Sequence, residues 1–282
     1  MRDFARLLPP HTEKVIGEQD LYLEVFEQKN PSKVLEERPP LLFVHGAFTG
    51  SWMWSKYIPH FIEDGWKCYV MNLRCHYKSR VMDMSKITFE DYIQDIKEIH
   101  KLILQECKKA PIVIGFSMGG ILCQKIAETE KIEGLILIDS SISKEVNEIC
   151  PYEDPSDDEL GIVIPAPDRP EAFSIDESEE DILFQRKYLS MESSKVFSTM
   201  GCWIKGVEGI SVKGDFTCPS LVIKAINNDK DDIRGREEAK HLKAEYAGYR
   251  DTTHTGLLIG QKYEMIVERI LEFLNHNRKD MA

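Results

Sequence analysis

Short apolar runs recur along the chain, separated by stretches with the periodicity of helices. Five runs predict buried strands, at residues 41–44, 67–72, 111–115, 135–139 and 221–225. A further run at 21–27 alternates apolar with polar residues, which is typical of an antiparallel edge strand. Because helical stretches join the apolar runs, the pattern predicts an α/β fold with a mostly parallel central sheet flanked by helices.

The clearest helical pattern follows Thr88. Thr88 and Asp91 have the spacing of a capping box, and apolar residues continue at helical intervals as far as Ile103. We expect this helix to pack on the sheet and to carry no chemistry. A second helical pattern, at residues 263–274, is expected to close the fold.

The alternation of strands and helices stops between residues 142 and 216. This segment is at first rich in proline and acidic residues, and becomes amphipathic around 179–188 and 193–205. We therefore expect a core made of residues 1–141 and 217–282, with 142–216 inserted as a helical lid, or cap. The apolar content of the insertion favours a mobile lid over a surface excursion.

Ser117 lies at a predicted turn from strand to helix. The apolar residues 112–114 run into Gly115-Phe116-Ser117-Met118-Gly119, and a helical pattern follows. The two glycines allow a sharp turn that exposes the serine in strained backbone at a helix N-terminus, where the helix dipole favours negative charge. The pattern predicts a nucleophilic serine.

The order of motifs along the chain resembles the α/β-hydrolase superfamily. A strand ending in His45-Gly46 precedes the Gly-x-Ser-x-Gly motif, and an acid and a late histidine come afterwards. The likeness extends from about residue 18 to 275, and residues 52–54 and 72–74 resemble its lid-bearing serine esterase and lysophospholipase-like branch. The resemblance implies a nucleophile elbow at Ser117 and an oxyanion hole made by the amides of Ala47 and Met118. His45 is expected to brace the loop.

His254 is the predicted general base, because a histidine that follows the last core strand can reach the serine from the correct side of the sheet. The other histidines are terminal, lie in helical patterns or follow a middle strand: His11, His276, His60, His100, His241 and His76.

The acid that orients His254 is expected at Asp229, after the fifth core strand. Relatives usually have Gly-x-x-Asp here, and residues 226–229 keep the spacing but lose the glycine. Asp231 and Asp232 therefore stay open as alternatives. Asp139, at the end of the preceding strand, is the remaining topological option.

A second departure from the family pattern lies at residues 73–79. Relatives commonly have Leu-Arg-Gly-His-Gly-x-Ser, whereas this chain replaces the two glycines with Cys75 and Tyr77. The neighbouring cysteine and histidine suggest a thiol nucleophile, but adjacent side chains rarely meet productively. We expect a structural loop at the pocket edge.

Composition excludes several partners. With 42% hydrophobic and 30% charged residues among 282, the chain is globular, and its net charge of −12 argues against nucleic acid. No apolar run approaches the ~18 residues of a membrane span, so no stable membrane insertion is expected. The seven cysteines form no CxxC pair, which favours free thiols and a cytoplasmic location. We expect a monomer or a homodimer.

These expectations converge on a carboxylesterase-like serine hydrolase that needs neither metal nor cofactor. Its substrate would be a small to medium apolar ester, lactone or thioester, contacted by Phe48, Phe184 and Trp203. The same fold also hosts carbon-carbon bond hydrolases, lyases, cofactor-free oxygenases and ligand-binding receptor-like relatives, so these stay as alternatives.

Overall fold

The computed structural model describes residues 2–29, 31, 35, 37–157, 159–169 and 174–277. At its centre is an eight-stranded sheet with the strand order β1-β2-β4-β3-β5-β6-β9-β10. Its strands are β1 (Thr12–Ile16), β2 (Leu21–Phe26), β3 (Leu41–Val44), β4 (Cys68–Met71), β5 (Ile112–Phe116), β6 (Gly134–Ile138), β9 (Ser220–Ile226) and β10 (Glu245–Arg250). A separate antiparallel pair is formed by β7 (Val163–Ile164) and β8 (Glu192–Ser193).

The sheet is parallel from β4 across to β10, and antiparallel only at β1 and β2. This confirms the predicted α/β class and the five predicted buried strands. The prediction of an edge strand at 21–27 was wrong, because β2 is buried along its whole length and β1 covers it. β1 escaped detection because its sequence, TEKVI, has too few apolar residues to form a run.

Helices cover both faces of the sheet. They are α1 (Ile58–Glu63), α2 (Phe89–Cys107), α3 (Met118–Ala127), α4 (Lys144–Ile149), α5 (Glu179–Tyr188), α6 (Ser194–Met200), α7 (Asp229–His241), α8 (Gly256–Ile259) and α9 (Tyr263–His276). Short 3₁₀ helices occur at Phe4–Leu7, Ser51–Trp54 and Met84–Lys86. The Thr88 and Asp91 capping box is present at the start of α2.

The side chains of each central strand alternate between the two faces of the sheet and pack in two apolar layers. In β5, Val113 packs in one layer with residues of α2 and α3, whereas Ile114 packs in the other layer with residues of α9. Because both faces are buried, the central parallel strands β3, β5 and β6 consist of apolar residues and glycine. Among the described residues, none of the helices has the length and apolar character needed to cross a membrane.

The predicted insertion lies between β6 and β9 in the chain, and its described residues contribute no strand to the eight-stranded sheet. It contains α4, β7, α5, β8 and α6. The helix predicted around 179–188 is present as α5, and the one around 193–205 is shorter, ending as α6 at Met200. The division into core and lid, and the mobility of the lid, stay predictions.

Candidate active site

Ser117 lies in the turn between β5 and α3. Its φ of 54° and ψ of −120° place a non-glycine residue at positive φ, a sparsely populated conformation that costs about 1–3 kcal/mol. Hydrogen bonds hold it there: its N–H donates to the Ile138 carbonyl (3.1 Å), and its carbonyl accepts from the amides of Gly120 (2.9 Å) and Ser141 (3.0 Å). The neighbouring strand thus fixes the strained turn.

The glycines on either side of Ser117 are required by close backbone contact. A Cβ on Gly115 would lie 2.4 Å from the Gly119 carbonyl oxygen, and one on Gly119 would lie 2.3 Å from that of Val44. Any larger residue would push α3 away from the sheet. The spacing read from the sequence therefore has a steric cause.

His254 reaches the same edge of the sheet from the loop between β10 and α8. Its Nδ1 lies 2.6 Å from Oδ2 of Asp139, and its ring stacks on Phe116 with 4.6 Å between centroids. Ser117, Asp139 and His254 line one pocket of about 260 Å³. Because Nδ1–H donates to the carboxylate, Nε2 is left as an acceptor.

Asp229, the residue expected to orient His254, does not contact it. Its side chain is 93% exposed and pairs with Arg250 at 3.4 Å. The reason is local: Asn228 caps α7 by accepting the amides of Lys230 and Asp231, so the chain enters the helix directly and Asp229 projects to solvent. The prediction that Asp229 orients His254 was wrong.

The other two candidate acids of this loop also have different partners. Asp231 accepts the Asn227 amide at 3.1 Å, and Asp232 accepts the Tyr246 hydroxyl at 2.7 Å. Of the four carboxylates considered from the sequence, only Asp139 contacts His254.

Asp139 is also bound by a buried lysine that sequence reasoning missed. Nζ of Lys224 lies 3.0 Å from Oδ1 of Asp139 and donates to the Ser140 carbonyl at 3.1 Å. Burial alone would raise the pKa of Asp139, but Lys224 and His254 outweigh it and lower the pKa to about 2. The carboxylate is therefore ionised at neutral pH. The sequence did contain a signal for this contact, because Lys224 is a charged residue within the apolar run at 221–225.

A second buried acid, Glu238 of α7, lies close to this pair. Its Oε1 accepts from the Gln124 amide at 3.0 Å, whereas its Oε2 has no partner among the described residues. Burial raises the pKa of Glu238 to about 7, although the Lys224 charge opposes the rise. The folded state therefore favours the protonated form of Glu238.

This raised pKa predicts a loss of stability as the pH rises. The contribution of Glu238 to the free energy of unfolding is fully present below its ordinary pKa of 4.5 and is lost as the pH rises through about 7. The total loss is about 3 kcal/mol. Chemical denaturation between pH 4.5 and 8 should show that Glu238→Gln removes this part of the pH dependence. An unchanged slope would contradict the assignment.

The two amides expected to form an oxyanion hole are both free. The structure records no acceptor among the described residues for the N–H of Ala47 or of Met118, the first residue of α3. The loop that carries Ala47 packs tightly on the serine, since a Cβ on Gly46 would lie 2.9 Å from Ser117 Cβ. Met118 follows Ser117 directly in the chain, and the loop that carries Ala47 contacts the same turn.

His45 bridges two loops. Its Nδ1 lies 2.8 Å from the Gly46 carbonyl, so Nδ1 carries the proton, and its Nε2 accepts the Leu73 amide at 3.0 Å. Burial lowers its pKa to about 3, which keeps the ring neutral. Both nitrogens are occupied, so His45 is built as a brace.

The loop at 73–79 keeps a glycine-like backbone without the glycines. Cys75 has a φ of 67° and Tyr77 a φ of 50°, in the left-handed region that favours glycine. Tyr77 packs edge-to-face on Tyr188 of α5, with 5.5 Å between centroids. Contacts with the insertion help to hold a turn that its own residues disfavour.

The three side chains expected to contact substrate have different surroundings. Phe184 is fully buried against Phe4 and Trp52, so its assignment to the pocket was wrong. Trp203 lines the pocket, and Phe48 connects to it through edge-to-face contacts on Phe197. Most of the remaining lining is polar: Ser140, Ser141, Tyr152, Lys224, Asn227, Asp231 and Arg234.

Comparison with known proteins points to one fold. Residues 39–165 match the family model described as the alpha/beta hydrolase fold. A search of curated proteins finds no match to the sequence.

Solved structures cover nearly the whole chain. A structure from a study of carboxylesterases of Nitrososphaera gargenis has a TM-score of 0.64 at 16% identity, covering 96% of this chain and 100% of that one. A monoacylglycerol lipase of Paleococcus ferrophilus has a TM-score of 0.64 at 18% identity, and the match covers 91% of this chain and 99% of the lipase. An enol-lactonase of Burkholderia xenovorans has a TM-score of 0.64 at 14% identity, and the match covers 94% of this chain and 100% of the lactonase. At these identities the likeness is one of fold.

Proposed function

Because this chain has the alpha/beta hydrolase fold, we propose that it is a serine hydrolase that cleaves carboxylic esters, or the related lactones and thioesters, through Ser117, His254 and Asp139. The observation that carries the proposal is the 2.6 Å contact of His254 with Asp139 beside the strained Ser117 turn. A nucleophile, a base and an orienting acid then share one pocket.

The mechanism has two halves. Nε2 of His254 takes the Ser117 hydroxyl proton as Oγ attacks the carbonyl carbon, and the tetrahedral intermediate collapses when His254 protonates the leaving alcohol or thiol. Water, deprotonated by His254, then attacks the acyl-enzyme, and His254 returns the proton to Ser117 Oγ as the acyl–oxygen bond breaks and the carboxylic acid is released. Asp139 keeps the proton on Nδ1 throughout and stabilises the transient imidazolium.

The oxyanion of each intermediate would lie against the amides of Ala47 and Met118. One such donor contributes about 3 kcal/mol to transition-state stabilisation in serine hydrolases. Since neither amide has an acceptor among the described residues, both are available without rearrangement.

The pocket supports a small to medium substrate. Its volume of about 260 Å³ holds a small to medium acyl or alcohol group, with Trp203 as an apolar wall and Tyr152 and Asn227 as polar contacts. The carboxylesterases and the lipase among the structural neighbours act on esters by name, which supports an ester as the first substrate to test.

Labelling with a fluorophosphonate tests the nucleophile without knowledge of the substrate. We expect one adduct, mapped by peptide mass spectrometry to Ser117. On p-nitrophenyl esters we expect kcat/KM to fall at least tenfold from butyrate to octanoate, because most of the pocket lining is polar and offers little apolar surface to a long chain. An adduct on another residue, or no adduct and no turnover on ester, thioester or lactone, would overturn the proposal.

A further inference from the structure

Glu192 of the inserted segment is a fully buried carboxylate that the proposed mechanism does not use. Its Oε1 accepts from the Tyr92 hydroxyl (2.6 Å) and the Ser193 amide (2.7 Å). Its Oε2 accepts from the Phe48 amide at 3.3 Å and lies 3.0 Å from Nε2 of His76. Four groups therefore converge on one side chain.

The contacts of His76 show that the pair is ionic. Nδ1 lies 3.0 Å from the Arg74 carbonyl, which can only accept, so Nδ1 carries a proton. Nε2 faces a carboxylate that already receives three other donors, so Nε2 donates as well. Burial opposes charge on both groups, but their mutual attraction raises the pKa of His76 and lowers that of Glu192.

This ion pair acts on the loop that carries the Ala47 amide. Phe48 has a φ of 66°, a conformation that needs external support. Glu192 bonds the Phe48 amide, and the Ser190 amide donates to the Phe48 carbonyl at 2.9 Å. Two residues of the insertion thus hold both peptide groups of Phe48.

The peptide that contains the Ala47 amide is held from its other end. The Gly46 carbonyl accepts from the Thr49 hydroxyl and lies within bonding distance of His45 Nδ1, each at 2.8 Å. Because the C=O and N–H of a trans peptide point in opposite directions, these bonds leave the Ala47 N–H free. The contacts of the Gly46 carbonyl hold this peptide on one side of the Ala47 Cα, and Glu192 holds the next peptide on the other side.

We propose that Glu192 is a positioning residue for the oxyanion hole, which fixes the Ala47 amide from the inserted segment by bonding the Phe48 peptide. This inference rests on the proposed function. It makes Ser190 and Glu192 of the inserted segment supports of the loop that carries Ala47, with His76 and Tyr92 supporting the carboxylate.

The test replaces Glu192 by glutamine, which keeps the size and removes the charge. With p-nitrophenyl butyrate as substrate, we expect kcat to fall about 10- to 100-fold with KM within threefold of the parent, since misplacing one oxyanion donor affects the transition state more than the ground state. The Ki of a trifluoromethyl ketone, whose serine adduct carries an oxyanion, should rise by the factor by which kcat/KM falls.

Matched variants separate positioning from folding. Met191→Ala changes the exposed neighbour of Glu192 and should leave kcat and Ki unchanged. If Glu192→Gln does not fold, Tyr92→Phe removes only one hydroxyl from the cluster, and a 3- to 10-fold loss in kcat with a matching rise in Ki is expected.

Three outcomes overturn the inference: an unchanged kcat in the folded variant, a rise in KM alone, or a lower kcat with an unchanged Ki. The parent protein distinguishes this failure from failure of the proposed function. If the parent protein takes no fluorophosphonate label and hydrolyses no ester, the proposed hydrolase function is wrong. If the parent is active and Glu192→Gln has the same kcat, only the role proposed for Glu192 is wrong.

Discussion

Ser117→Ala is expected to lower kcat on an activated ester by about 10⁴ or more, because it removes the oxygen that the proposed mechanism acylates. The change deletes one oxygen and leaves the backbone bonds of the turn in place: those to Ile138, Gly120 and Ser141. The variant should therefore fold, with the parent's circular dichroism spectrum and thermal midpoint within a few degrees.

Ser198→Ala is the matched control, since Ser198 lies on the exposed surface of α6 and its hydroxyl donates to the Lys195 carbonyl of the same helix. It should keep parent activity and its fluorophosphonate label. A folded Ser117→Ala protein that turns over the ester at a near-parent rate would exclude Ser117 as the nucleophile.

Asp139→Asn is expected to lower kcat by about 10⁴, because an amide cannot hold His254 in the tautomer that leaves Nε2 free. Asp229→Asn, at an exposed position beside Arg250, should stay within twofold of the parent. Kinetics of the two variants on the same ester decide between the acids. Full activity in Asp139→Asn, or a large loss in Asp229→Asn, would contradict the geometry.

The Asp139 variant also leaves Lys224 as a buried charge without its carboxylate partner, which costs about 3–5 kcal/mol. The double variant Asp139→Asn, Lys224→Met removes both charges and should recover most of the stability. It should remain inactive, so the loss of activity can be assigned to the acid and not to unfolding.

A stabilising effect of Asp139 should also be visible in acid. Its pKa is lowered from 3.8 to about 2, so its contribution is present above pH 3.8 and is lost as the pH falls through 2.

The sequence by itself determined the features that local patterns specify. The apolar runs of β3, β5 and β6 were identified because a strand buried on both faces places apolar side chains on both. The run of β9 was recognisable although Lys224 interrupts it. The turn at Ser117 was identifiable because Gly115 and Gly119 meet backbone atoms at distances that no Cβ permits. His254 followed from chain order, since it comes after the last core strand.

Only the tertiary structure decided which carboxylate His254 contacts and what supports the loop at Ala47. Asp139 and Asp229 both follow parallel strands whose ends meet at one sheet edge, so the sequence pattern admits either. Helix capping at Asn228 turns Asp229 to solvent. Glu192 and His76 lie 116 residues apart, and no periodicity links them. Such contacts depend on where distant segments pack, which local sequence patterns do not encode.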